Sequence, residues 1–217
     1  MRDLKRLKDL MVYFISAFPQ RLGRTKLIKS VYLLDCEWYR LYGETYSGLN
    51  YLRDYNGPFD VAFYDAKDAL CAEGVITELE YLHSSGKGYE YVISGTRVEA
   101  PSLQGLALNI ASDIVEELKY AGLNDFLRRA YNTEPMKVVQ DKERDKRGHL
   151  LLGEVLDMDE LRKPPKALFS FKQVKRAGKR VDMSSRGSDE EYSTTVAEEI
   201  RELKPYLERA LKSWQVN

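Results

Sequence analysis

Two cysteines and two histidines in 217 residues leave little material for thiol or metal chemistry. Cys36 and Cys71 have no second Cys or His at ligand spacing, so they read as structural thiols in helices, with neither a zinc site nor a redox pair expected. His83 and His149 lie in polar stretches, apart from any Cys or Ser in a catalytic pattern. A Walker loop, a dinucleotide-binding glycine turn, a serine nucleophile elbow and an HExxH helix are all missing, which removes the commonest signs of nucleotide, acyl-transfer and metalloprotease chemistry. Gly-Lys-Gly at 86–88 lacks a following helix to aim amides at an anion and reads as a turn. Asp60, Asp65 and Asp68 resemble a solvated face more than a paired acid and base. A catalytic role, a cofactor and a metal are therefore not expected.

Long hydrophobic runs are also lacking. No stretch approaches the roughly 20 apolar residues that span a bilayer. Charges at Lys5, Arg6, Lys8 and Asp9 break the N-terminus where a signal peptide needs a continuous apolar core. The expectation is a cytoplasmic protein without membrane contact.

What is present is enough for a core: 43% of residues are hydrophobic and 31% charged, which suits one main domain with a strongly solvated appendage. The formal net charge of zero hides a segregated distribution. Residues 1–30 carry a net +6, residues 31–136 a net −9, residues 137–187 a net +6 and residues 188–217 a net −3. An acidic middle is flanked by basic segments.

Leu4, Leu7, Leu10, Met11, Phe14, Ile15 and Phe18 trace the stripe of an amphipathic helix that Pro19 ends. A second helix is predicted from Thr25 to Tyr42, apolar around much of its girth and stopped by Gly43. After an extended passage at 48–53, Asn56-Gly57-Pro58 reads as a turn, with Pro58 as the first residue of a third helix that runs to Glu73 and is capped by Gly74. Two β-favouring runs about residues 84–88 predict a hairpin. Ser102 is placed to cap a fourth helix that Gly122 closes, and residues 123–131 suggest a fifth. From residue 137 the charge run and then Pro164-Pro165 predict weak packing, and residues 172–188 have the composition of a flexible connector. Thr195 with Glu198 can form a capping box for a last helix bearing Val196, Ile200, Leu203, Leu207, Leu211 and Trp214. The expected fold class is α+β and mainly helical: a winged-helix-like core with a small β-hairpin over residues 1–136, a basic extension over 137–187 and an amphipathic helix over 188–217.

Thr25-Lys26-Leu27-Ile28, then Tyr32-Leu33-Leu34-Asp35, Tyr39, Tyr42-Gly43, a short extended passage and Asn56-Gly57-Pro58 before a helix form an ordered set. That set resembles the Panacea domain family of SocA-like antitoxins, over roughly residues 5–135. The resemblance implies a non-catalytic protein from a bacterial, archaeal or phage toxin–antitoxin pair, which neutralises a partner toxin by direct binding and in some cases hands it to a protease.

Helix, glycine stop and hairpin is also the layout of a DNA-reading winged helix, and charge separates the two readings. Residues 59–73 hold Asp60, Asp65, Asp68 and Glu73 against Lys67 alone, whereas a helix entering a groove brings cations to the phosphates. The first expectation is thus a toxin-binding surface contributed by Tyr51, Arg53, Asp54, Tyr55, Asp60 and Tyr64, residue types that anchor protein interfaces. The alternative is a regulator that binds nucleic acid through basic flanks, with Lys172, Lys175, Arg176, Lys179 and Arg180 as its contacts and the acidic core as a homodimer surface.

Overall fold

The computed structural model describes residues 4–83, 86–94 and 103–163 of the chain. These fall within one unit, Met1–Pro164, while Ser102, the basic connector and the terminal helix expected at 195–214 lie outside the described residues. Among the described residues there are six α-helices, five strands and one 3-10 helix, a mainly helical α+β fold.

Helix α1 (Lys5–Ala17) buries Leu7, Leu10, Met11 and Phe14, and Phe18 then turns extended because Pro19 disfavours a helical residue before it. Strand β1 (Leu22–Gly23) leads into α2 (Arg24–Tyr42), which is buried without interruption from Leu27 to Cys36 and touches α1, α4 (Gly105–Leu118) and α5 (Leu123–Tyr131). The apolar girth read from the sequence is this central position. Strand β4 (Ile76–His83) pairs antiparallel with β5 (Gly86–Ile93), and β5 pairs with β1, so the sheet order is β1-β5-β4. With α3 (Ala62–Ala72) before the hairpin, this is the winged-helix arrangement, interrupted between α2 and α3 by a second hairpin of β2 (Leu52–Asp54) and β3 (Gly57–Phe59).

The third helix begins later than its sequence suggests. Pro58 lies in β3 opposite Arg53, not at a helix start, because Tyr55-Asn56 closes a hairpin whose returning strand opens at Gly57, with φ 87°. Asp60 then caps the helix by accepting the Ala62 amide at 2.9 Å. Gly122, expected to close the fourth helix, instead opens α5, its amide held by the Asp125 carboxylate at 3.0 Å.

Residues 137–163 depart furthest from expectation. Their charges predict weak packing, yet α6 (Glu134–Asp145) buries Met136, Val139 and Glu143, and the 3-10 helix Met158–Arg162 buries Met158 and Leu161 against α2 and α6. Apart from Glu143, the charged residues of the run occupy the outer side of α6, so the run conceals an apolar stripe. Arg162 of the 3-10 helix lies against Gly43, which ends α2 with φ 74° and donates its amide to the Tyr39 carbonyl at 2.9 Å. Gly43→Ala is expected to cost about 1–3 kcal/mol in a denaturant titration, from left-handed strain plus displacement of Arg162.

Candidate functional site

The β2–β3 hairpin is held from below by buried polar groups. Asp35, within the fully buried stretch of α2, accepts the Ser47 amide at 2.9 Å, the Ser47 hydroxyl, and the Tyr51 hydroxyl at 2.6 Å. Burial pushes its carboxyl up to about 6, against the opposing pull of the Ser47 and Tyr51 hydrogen bonds. The Tyr51 ring meets Tyr32 edge-on at 4.8 Å, and the Tyr32 hydroxyl reaches Thr133 at 2.6 Å, where Thr133 in turn donates to the Ala130 carbonyl. One relay thus joins α2, the hairpin approach and the start of α6.

Lys29, also within α2, sends its ammonium to the Pro58 carbonyl at 2.7 Å. Desolvation lowers its pKa to about 7, with Asp54 acting in the opposite direction and Arg53 in the same one. Asp60 receives the Asn50 amide at 2.6 Å as well as that of Ala62, which locks both ends of the hairpin. Arg53 forks onto Glu143 of α6 at 2.8 and 3.4 Å, bonds the Asp54 carbonyl, and stacks on Tyr131 at 5.3 Å. Burial disfavours the Glu143 charge, yet Arg53 and the Leu151 amide hold that carboxyl below its usual range.

Several residues expected at a partner surface therefore face inward. Tyr51, Arg53 and Asp60 are buried, and each is spent on fastening the hairpin. Asp54 and Tyr64 are half-buried, while Tyr55, 69% exposed at the hairpin turn, is the one fully available side chain of the expected set. Asp60 also leaves the solvated face to which its spacing assigned it. Lys172, Lys175, Arg176, Lys179 and Arg180 lie outside the described residues.

The outward face of α3 carries Val61, Asp65, Asp68 and Ala72. Lys67 is drawn back into ion pairs with Asp68 at 2.6 Å and Glu78 at 3.3 Å. On the wing, Lys87 is paired with Glu80 at 2.8 Å. A basic cleft of about 590 Å³ between the start of α2 and the β4–β5 hairpin includes Arg21, Arg24, Lys26 and Lys87. Arg24 stacks on Tyr64 and Tyr89, and Lys26 donates to the Ala121 carbonyl at 3.0 Å, so most of these cations are already engaged. Among the described residues, no three His, Cys, Asp or Glu side chains gather at metal-binding distance, and no helix is long and apolar enough to cross a membrane.

Lys29, Asp35 and Glu143 were not singled out as site residues from the sequence. The available sign is that Lys29 and Asp35 interrupt the stretch from Leu27 to Cys36, in which every other residue but Ser30 is apolar, so that each charge must find an internal partner. For Glu143 the surrounding charge run hides any such sign. No known family model matches the chain, and no curated protein or solved structure does.

Proposed function

We propose that this chain is a non-catalytic antitoxin of the Panacea type, which acts in the cytoplasm by binding a toxin protein directly. The observation that carries the reading is the outward face of α3, where Val61, Asp65, Asp68 and Ala72 offer carboxylates and apolar surface with no free cation. Set among phosphates, that face meets repulsion; set against a basic protein, it steers encounter. The residues behind the family resemblance support the same view, since Lys26, Leu27, Tyr32, Asp35, Gly57 and Pro58 all belong to α2 or to the hairpin it holds.

The test is co-expression with the protein encoded by the adjacent gene. Growth arrest by that protein should be relieved by this chain. The double variant Asp65→Lys, Asp68→Lys should bind it roughly tenfold more weakly, mainly through a slower on-rate at low salt. Unrelieved arrest counts against the antitoxin reading. Tight binding to duplex DNA with a steep salt dependence would instead favour a regulator working through the basic flanks.

A further inference from the structure

Arg21, Arg24, Lys26 and Lys87 line the cleft between the start of α2 and the β4–β5 hairpin against one acid, Glu90. Lys87 is neutralised by Glu80. The other three cations are positioned without being neutralised. Arg24 rests on the rings of Tyr64 and Tyr89, and Lys26 meets the Ala121 carbonyl and the Phe126 ring, partners that fix a cation but bring no full opposite charge. Arg21 is exposed, and among the described residues no carboxylate pairs with it, with Arg24 or with Lys26. Arg40, Arg53, Arg128, Arg129 and Arg144, by contrast, each meet a carboxylate.

An aromatic surface lies in the same cleft. The Tyr81 ring lies across Gly88, its partner in the β4–β5 ladder, where any side chain would collide with it. The residue is still 42% exposed. Gln20, Thr25 and Asn56 add amide and hydroxyl groups to the lining, and a volume of about 590 Å³ lies in the range of clefts that hold one small molecule.

We propose that this cleft binds a nucleoside diphosphate, with its phosphates on Arg21, Arg24 and Lys26 and its base against Tyr81. Guanidinium forks match phosphate oxygens, and a single phosphate, at about −2, would leave part of the positive charge unanswered. The ring supplies a surface that any base can stack on. A run of carboxylates would satisfy the cations and leave Tyr81 unused. Such a site is separate from the toxin-binding face of α3, and loss of either leaves the other intact.

Calorimetric titration of the full chain with ADP, GDP, CDP and UDP in turn tests this. At least one should bind once per chain with a Kd below about 1 mM. Arg21→Gln and Arg24→Gln should each weaken that nucleotide about tenfold. Because Arg21 has no partner among the described residues to lose, its variant decides the matter even where Arg24→Gln fails to fold. Tyr81→Ser should weaken the nucleotide at least about fivefold and leave the binding of inorganic phosphate unchanged. Arg144→Gln, on α6 and outside the cleft, should bind as wild type does. Absence of binding by all four nucleotides, equal weakening by Arg144→Gln, or indifference to Arg21→Gln or to Tyr81→Ser would overturn the proposal. So would oligothymidylate that binds more tightly as it lengthens, since a strand would then be the occupant, or an oligoglutamate peptide that displaces the nucleotide at equal concentration.

Discussion

Arg53→Met is expected to lower stability by about 3–5 kcal/mol, because it strands the Glu143 carboxylate in a buried site. The change also removes a cation from the Tyr131 ring and a donor from the Asp54 carbonyl. Glu143→Leu alone should cost a similar amount, by stranding the guanidinium. The double variant should recover most of the loss, since two apolar groups of similar volume need no partner. A thermal or urea titration of the four proteins reads the coupling directly. Additive losses in the double variant would show that Arg53 and Glu143 act independently, against the geometry of their forked contact.

The second large effect is a dip in stability between about pH 6 and 7, where both Asp35 and Lys29 are ionised inside the fold. Below that window the folded protein protonates Asp35 near 6, while the unfolded chain waits until about 4. Folding therefore takes up a proton, and this group favours the fold by up to about 3 kcal/mol more at pH 4 than at pH 7. Above the window the folded protein releases the Lys29 proton near 7, while the unfolded chain keeps it to about 10.5. Stability from this group then rises with pH, by up to about 5 kcal/mol across that interval. Asp35→Asn should flatten the acid arm relative to wild type and Lys29→Met the alkaline arm, each leaving the other in place. Denaturant titrations at pH 4.5, 6.5 and 9 suffice. A wild-type advantage over each variant that does not change with pH would refute the assignment.

Local chemistry in the sequence specified much of this architecture. The stripe ending at Pro19, the left-handed stop at Gly43 and the β4–β5 pairing each depend on neighbouring residues, so periodicity and turn chemistry reveal them. Pro58 was misplaced because it suits a strand edge as well as the first turn of a helix, and the choice depends on Arg53 pairing opposite it. The packing of residues 137–163 was illegible for a similar reason. A charged helix with a narrow apolar stripe looks solvated until its partners on α5 and the 3-10 helix are known. At the candidate site, tyrosine and charge clustering drew attention to residues 51–64 but could not tell which of their side chains point outward. Tyr51, Arg53 and Asp60 read as contacts when the fold uses them as internal fasteners.

The Arg53–Glu143 pair has a consequence for biosynthesis. Ninety positions separate the two residues, and Val155, which bridges to Leu52 of β2, emerges later still. A ribosome will therefore have released every winged-helix element before the guanidinium meets its counter-ion. Until then the nascent hairpin carries an unneutralised cation and a bare margin, so sheltering by a chaperone is most valuable during that interval, and translation stalled near residue 140 should leave a species prone to adhere to its neighbours.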